Sequence, residues 1–566
     1  MIRPLEADLP WKPLAAAATS PLALVVVSLD GSLSRIDGFI LVAWFIVVML
    51  AIARTGRGIV GESNDGDDTK SRPVLRMLGG LAAFSIGGEV LGEGIRATVS
   101  RFGVPQAHVL KLRDLDARSE EAVTHPAIGY DSPADAIKAP GESIVYVAGL
   151  YEGTGEERPD FLAVIDVDPT SKTYSQITHR TDMPNVGDEL HHYGWQICSS
   201  ACHAENRERK HLVVPGLRSS RIHVIDVGTD PGAPKIVKVI EPDEVKAKTG
   251  LSAPHTVHCM PGDNVVMSML GNGEGGLGAG FLVLDAQSFE IKGRWESDGA
   301  PEWGYDFWYQ PRKNTLISSE WAAPEVFMPG FNLEDVAAGK YGHSIHFWDL
   351  EARRVTQTID LGETGMIPLE IRWLHDPDAE TGFVGAALSS TMWRFYKDGD
   401  AWAADKVIEV EPRDLETFPV PVPGLITDLV VSMDDRFLYF SNWLHGDLRQ
   451  YDISDPAHPR FTDSVLLGGL FEEALHPNGT RLNGGPQMLQ LSMDGRRLYA
   501  TNSLFSTWDN QFYPELSSWM VQIDIAEDGS MAINPDFFVD FSALPGKPRA
   551  HEMHLPGGDV TTEIFQ

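Results

Sequence analysis

A paired-strand unit recurs seven times from residue 141 onward, and this repeat constrains the fold more than any other feature of the chain. Its spacing of roughly sixty residues is typical of propellers and other repeat arrays. In each copy an apolar run is followed by a loop and then by a second apolar run that often ends in Asp, as in residues 265–268 and 281–285. The first runs begin at Val145, Leu212, Val265, Leu316, Phe383, Leu438 and Leu498.

Short strands separated by Gly, Pro and Asp turns predict an all-β fold. Four antiparallel strands per copy, arranged radially, predict a seven-bladed β-propeller over residues 141–566. An innermost strand precedes most of the first runs, as in residues 371–375, but none precedes Val145. The segment from His551 to Asp559 supplies it, so we expect the C-terminal strand to close the ring and remove the sheet edges.

Histidines recur at matching places in this repeat. The innermost strands begin at one rim of the central channel, and the antiparallel second strands end there. Imidazoles around one axis suit copper, zinc or iron, and carboxylates can orient them from behind. The alternative is that each histidine is an ordinary hydrogen-bonding residue of a turn. The rim candidates are His191, His192, His255, Glu320, Glu370, Asp428, His445 and His551.

The cysteines form a separate case. Cys198 follows His192 by six positions, or roughly 20 Å of regular strand, so we expect it to lie outside the shell of the rim histidines. Either a reactive thiol or a structural cysteine fits Cys198 and Cys202. Three cysteines in the whole chain make no disulfide framework.

The first hundred residues are a different kind of sequence, since all 18 histidines lie after residue 107. Residues 14–29, 38–53 and 77–95 are apolar, which predicts a membrane anchor of two or three helices over residues 1–106, followed by a linker over 107–140. The basic loop from Arg54 to Arg76 predicts a cytoplasmic loop and a periplasmic propeller. If residues 77–95 do not span, the propeller is cytoplasmic. The net charge of −34 argues against nucleic acid as a partner.

From about Gly129 to the end, the chain resembles the selenium-binding protein family, whose members include methanethiol oxidases. The sequence segments that carry the resemblance are residues 188–195, 304–311, 320–324, 441–455, 484–487 and 551–559. The resemblance implies copper-dependent oxidation of methanethiol by O₂ and water to formaldehyde, hydrogen sulfide and hydrogen peroxide. We expect His192, His255, His445 and His551 to bind the copper, with His191 as the first substitute.

The same resemblance makes Cys198 the counterpart of the cysteine associated with selenium binding. The vertebrate motif reads Cys-Ser-Ser-Cys, whereas here Ala201 intervenes and the second cysteine is Cys202. A propeller that binds selenium or another chalcogen, or a protein partner, without catalysis is the alternative function. Residues 30–38, 87–94 and 102–105 resemble parts of a sodium/calcium exchanger, which implies an anchor left by a gene fusion.

Overall fold

The computed structural model describes residues 129–202 and 208–566. These ranges hold seven four-stranded antiparallel sheets, as the repeat predicts. The first three blades contain the following strands: β1 (Ile144–Leu150), β2 (Pro159–Asp166), β3 (Ile177–Val186), β4 (Gly194–Trp195), β5 (His211–Pro215), β6 (Ile222–Asp226), β7 (Lys235–Ile240), β8 (Leu251–Met260), β9 (Asn264–Asn272), β10 (Gly280–Asp285) and β11 (Ile291–Arg294).

The next two blades contain β12 (Phe307–Gln310), β13 (Thr315–Ser318), β14 (Ser344–Asp349), β15 (Arg354–Asp360), β16 (Pro368–Trp373), β17 (Thr381–Ala386), β18 (Thr391–Asp398) and β19 (Ala401–Glu409). The remaining strands are β20 (Ile426–Val431), β21 (Phe437–Asn442), β22 (Asp447–Asp452), β23 (Arg460–Leu466), the short hairpin of β24 (Ala474–Leu475) and β25 (Arg481–Leu482), and β26 (Leu489–Leu491), β27 (Arg497–Thr501), β28 (Trp519–Ile525), β29 (Met531–Asp540) and β30 (Arg549–His554).

Short helices lie in the connections between strands and carry none of the candidate histidines. The α-helices are α1 (Pro133–Ala136), α2 (Pro242–Thr249), α3 (Pro324–Phe327), α4 (Leu333–Ala337) and α5 (Ser506–Phe512). The 3₁₀ turns are Ser200–Cys202, Pro311–Lys313, Gly362–Gly365 and Phe541–Ala543.

The C-terminal strand β30 closes the ring, which confirms the predicted closure. It pairs antiparallel with β1, so that Tyr146 lies opposite His554 and Leu150 opposite Arg549. The first blade therefore has the order β3-β2-β1-β30, with its innermost strand taken from the end of the chain. Innermost strands of successive blades also contact one another, as β16 contacts β20 and β26 contacts β30.

In the described residues no helix is long and apolar enough to cross a membrane. The three apolar segments predicted to form the anchor lie outside those residues, as does most of the predicted linker over 107–140. The membrane region of the predicted fold is therefore not supported by the structure, whereas the propeller is confirmed.

Candidate metal centre

Four histidine side chains meet inside the propeller. The ring centroid of His191 lies 4.8 Å from that of His192, 5.0 Å from that of His255 and 3.9 Å from that of His551. The His192 ring lies 3.9 Å from His255 and 5.7 Å from His551. All four side chains are buried. The cluster joins three blades, because His255 is on β8, His551 is on β30 and the other two precede β4.

Irregular backbone turns these side chains toward one another. The pairing of β8 with β9 shifts register between Pro254 and Val257, next to His255. The pairing of β1 with β30 shifts in the same way opposite His551. Such bulges re-aim side chains and are common beside active sites. His192 has a φ of 36°, a left-handed conformation that breaks the normal alternation of side chains and lets two consecutive histidines enter one cluster.

In three of the four histidines one ring nitrogen is hydrogen-bonded, and in all four one ring nitrogen has no hydrogen-bond partner in the described residues. The hydrogen-bonded nitrogens are His191 Nε2 with the Leu504 carbonyl at 3.2 Å, His255 Nδ1 with Thr256 Oγ1 at 3.1 Å and His551 Nδ1 with the Ser503 carbonyl at 2.8 Å. In His192, Nδ1 faces Glu370 Oε1 at 3.6 Å, an ion-pair distance that is too long for a hydrogen bond. The unpartnered nitrogens are His191 Nδ1, His192 Nε2, His255 Nε2 and His551 Nε2.

Buried polar atoms almost always have a partner, so four unpartnered nitrogens in one cluster require an explanation. Metal-binding histidines show this pattern, because one nitrogen binds the ion while the other is held by an oxygen that fixes the tautomer. Burial lowers the pKa of His551 to about 4. Burial, with the neighbouring imidazoles, lowers the pKa of His191, His192 and His255 well below the usual range. At neutral pH all four are uncharged, which is the form that binds metals.

His445 does not join this cluster, contrary to the predicted ligand set. Its Nε2 lies 3.0 Å from the Val422 carbonyl, and its ring packs edge-on against Phe471 at 5.3 Å. Among the described residues no contact between its ring and the four clustered histidines is found. His191, which the sequence offers as a substitute, occupies the fourth place instead.

The three predicted carboxylates have different surroundings. Glu370 lies beside His192 and forms an ion pair with Arg372 at 3.1 Å. Asp428 contacts Arg372 at 3.6 Å instead of a clustered histidine. It also accepts the backbone N–H of Leu489 at 2.6 Å. Burial raises the pKa of Glu370 well above the usual range. Only Glu370 of the three contacts a clustered histidine.

Glu320 is placed away from the cluster. Its Oε1 lies 2.9 Å from Nε2 of His346, and its other oxygen accepts the backbone N–H groups of His343 and Ser344 at 3.0 and 2.9 Å. These contacts hold the loop before β14. The prediction that Glu320 orients a metal ligand is therefore wrong for the four histidines that meet.

Tyr305 is a site residue that was not predicted. Its ring lies 4.1 Å from that of His255. It precedes β12, the innermost strand of its blade, just as His255 belongs to the beginning of β8. An alignment of the innermost strands would have placed it at the rim, because it belongs to the long motif of residues 304–311, directly before β12.

A small apolar cavity of about 20 Å³ adjoins His191. Tyr305, Trp321, Leu369 and Phe505 form much of its wall. A larger surface cleft of about 880 Å³ shares the wall residues Leu425 and Trp508 with this cavity. The histidine cluster is therefore buried, and side chains that line its cavity also line the surface cleft.

Comparison with known proteins identifies the family. The profile of the 56kDa selenium binding protein (SBP56) matches residues 123–566. The chain belongs to the 56 kDa selenium-binding protein family. A methanethiol oxidase of Xenopus laevis is 51% identical over 462 residues, covering 77% of this chain and 98% of the relative. The methanethiol oxidase of Homo sapiens has the same identity and coverage, and selenium-binding protein 2 of Arabidopsis thaliana is 50% identical, covering 77% of this chain and 95% of the relative.

A crystal structure from the selenium-binding family shares the fold. The hypothetical selenium-binding protein of Sulfolobus tokodaii is 48% identical and aligns with a TM-score of 0.74, covering 77% of this chain and 98% of that one. These matches confirm the predicted family. They do not support the resemblance of the N-terminal segment to a sodium/calcium exchanger, since the family match begins at residue 123.

The three cysteines of this family member form a second buried cluster. Cys202 Sγ lies 3.2 Å from Cys198 Sγ and 2.9 Å from Cys259 Sγ. The three sulfur atoms lie within 4.8 Å of one another and form no disulfide. Cys198 is thus separate from the histidines, as expected from the sequence. The additional residue Ala201 does not separate Cys198 from Cys202, because Ser200–Cys202 forms a 3₁₀ turn that brings the two thiols together.

Proposed function

We propose that this chain is a copper-dependent methanethiol oxidase. The reaction converts methanethiol, O₂ and water to formaldehyde, hydrogen sulfide and hydrogen peroxide, and these species balance one to one. The activity comes from relatives named methanethiol oxidase at 51% identity, of which the alignment spans 98%. The observation in this chain that carries the proposal is the set of four unpartnered imidazole nitrogens in one buried cluster.

The donor set fits copper. Neutral imidazoles suit copper, zinc and iron, and this cluster has no sulfur or carboxylate donor in direct contact with the unpartnered nitrogens among the described residues. His191, His192, His255 and His551 would hold the ion. Bound copper supplies a soft centre that lowers the pKa of a coordinated thiol and passes electrons to O₂. This assignment replaces His445 by His191 in the predicted set.

The protein residues keep the histidines in one tautomer. The carbonyl groups of Ser503 and Leu504 accept the ring N–H groups of His551 and His191. Glu370 Oε1 faces Nδ1 of His192 at 3.6 Å, which favours an N–H at Nδ1 and leaves the lone pair of Nε2 for the ion. Arg372 lies between Glu370, Asp306 and Asp428 and balances their charge in the channel.

The cavity beside His191 sets the size and polarity of the substrate. Its volume of about 20 Å³ exceeds only slightly the roughly 10–15 Å³ that one water-sized group needs. The walls are largely aromatic and aliphatic, so they favour a methyl group over a charged one. We therefore propose a very small uncharged thiol as the substrate and exclude cysteine and glutathione, whose charged groups would lose their hydration without a partner.

Metal analysis of the purified chain tests the proposal. Copper with imidazole neighbours in the purified chain, with peroxide and sulfide released when methanethiol is added in air, supports the oxidase. A second candidate function is a propeller that traps a chalcogen species at Cys198. It is supported by the cysteine cluster and by the relatives that are named selenium-binding proteins. Metal-free protein that binds selenite through a cysteine and releases no peroxide would establish this second function.

The variant Glu370→Gln should weaken copper binding or activity by about 10- to 100-fold, as is typical of a partner that orients a metal ligand. The amide keeps the shape of the side chain but replaces one carboxyl oxygen beside His192 and Arg372 with an NH₂ group, which cannot accept a hydrogen bond. Copper affinity and kcat/KM measure the effect. Glu320→Gln is the matched control, because Glu320 contacts His346 instead, and it should leave copper affinity unchanged. Equal losses in both variants would contradict the role given to Glu370.

We also propose that the propeller lies on the outer face of the inner membrane, anchored by the N-terminal segments. The support is the sequence alone: the basic residues Arg54, Arg57, Lys70, Arg72 and Arg76 between two apolar segments. Alkaline phosphatase fused after Gln106 should be active, and green fluorescent protein fused there should be dark. The reverse pattern would place the propeller in the cytoplasm.

A further inference from the structure

The three-cysteine cluster is built as a binding site. All three thiols are buried. Cys198 and Cys202 lie on one loop, and Cys259 lies on β8, which is distant from that loop in sequence. The shortest approach, 2.9 Å between Cys202 and Cys259, joins the loop to the strand. Thiols gathered at one point in this way offer three soft ligands to a single ion.

The loop that carries Cys198 and Cys202 is fixed by hydrogen bonds from both directions. Tyr130 donates its backbone N–H to Ser199 Oγ at 2.8 Å. The C-terminal residues hold the other side, since Ala201 donates to the Ile564 carbonyl at 3.2 Å and Gln566 donates to Ser200 Oγ at 2.7 Å. The thiols are thus placed before any ligand arrives.

We propose that Cys198, Cys202 and Cys259 bind one Cu(I) ion through three thiolates, at a site separate from the histidine cluster. Zinc in structural sites takes four ligands. In the part of the chain that the structure describes, no histidine or carboxylate joins the three sulfur atoms. Monovalent copper is a soft ion that accepts an all-thiolate set of three.

A buried cation, a buried carboxylate and a buried phenol surround the cysteine cluster. Arg209 donates Nε–H to the Ile197 carbonyl at 3.0 Å, directly before Cys198, and brings a buried positive charge beside the thiols. Glu563 balances part of that charge at 2.5 Å. Tyr309 lies 3.9 Å from Cys198 Sγ and 3.8 Å from Cys202 Sγ, and donates its hydroxyl to the Cys259 carbonyl at 2.7 Å. The Tyr309 hydroxyl therefore already donates its proton to a carbonyl group, and the side chain covers one side of the cysteine cluster.

The two clusters are distinct but share one strand. His255 and Cys259 both lie on β8, four positions apart, which corresponds to about 13 Å of extended chain. One ion cannot contact both. Loading the thiol site replaces up to three S–H bonds by metal–sulfur bonds and releases up to three protons, so its affinity for Cu(I) rises with pH.

The test uses the full-length chain, reduced and kept without oxygen, and titrated with Cu(I) against a coloured Cu(I) chelator. The double variant His255→Ala with His551→Ala removes two of the four clustered histidines and should still take up one Cu(I) per chain at the cysteines. Its spectrum should show thiolate-to-metal charge transfer in the ultraviolet. X-ray absorption at the copper edge should show three sulfur neighbours and no imidazole. Failure of methanethiol oxidation leaves these results unaffected, since the ligands differ.

Cys202→Ser should weaken Cu(I) binding by more than about 100-fold, which exceeds the loss typical of residues that only support a metal ligand. Its melting temperature, compared with that of the parent, shows whether the variant is folded. If it is not, the absorption spectrum of the double histidine variant decides, because its cysteines are intact. If that double variant is unfolded, the parent protein is measured instead. It should bind two copper ions, one of which has only sulfur neighbours. A folded double variant without bound Cu(I), or copper with only nitrogen neighbours, would overturn the proposal.

Discussion

Deletion of residues 549–566 is expected to leave a chain that does not fold. The deletion removes β30, the innermost strand of the first blade, and exposes the hydrogen-bonding edge of β1. It also removes five large buried apolar side chains: Met553, Leu555, Val560, Ile564 and Phe565. At roughly 1.5–3 kcal/mol each, their burial is worth about 8–15 kcal/mol, which is as large as the whole stability of a typical domain. Circular dichroism and thermal melting measure the result.

The control for this deletion is His551→Ala in the full chain. It removes one ligand and keeps the strand, so it should fold and lose the copper held by the histidine cluster. Its free energy of unfolding should lie within about 1–3 kcal/mol of that of the parent. Addition of a synthetic peptide of residues 549–566 to the deleted chain should restore folding, because the missing strand is supplied in trans. A deleted chain that melts like the parent would rule out the ring closure described here.

Replacement of His255 by Ala should abolish copper-dependent oxidation, with a fall in kcat/KM of more than about 100-fold. The substitution removes one of the four nitrogens that have no other partner. His191→Ala should have the same effect, since His191 contacts His192, His255 and His551. Copper content per folded chain and the rate of peroxide formation measure both variants.

The matched control is His445→Ala. His445 is also buried but makes its ring contact with Val422, so its loss should cost about 1 kcal/mol of stability and no copper. If His445→Ala released the metal and His191→Ala kept it, the ligand set predicted from the sequence would be restored.

The architecture was predictable because a strand pair that repeats seven times shows the length of the repeat, the residues of its turns and the way in which the ring closes. The turn at Asp434–Asp435 illustrates this: it joins β20 to β21 as expected, and Asp435 has the positive φ of 56° that such turns need. The closing strand was also predictable, since only the first copy lacks an inner strand.

The positions of individual side chains were less predictable, because they depend on irregular backbone and on contacts distant in sequence. His445 follows β21 at the predicted rim, but Phe471, from the connection to the last blade, packs against its ring. His191 and His192 both enter the cluster because of one left-handed residue. Cys259 meets the other cysteines across 57 positions of sequence. No periodic pattern reports such contacts.

The pairing of the first strand with the last has a consequence for the order in which the protein matures. A ribosome delivers β1 hundreds of residues before β30, so the first blade remains without its inner strand throughout most of translation. His551 emerges among the last residues of the described chain and brings the final imidazole to three that are already made. The candidate metal centre can therefore be completed only after β30 has been synthesised, and a chain terminated before His551 lacks one of the four imidazoles.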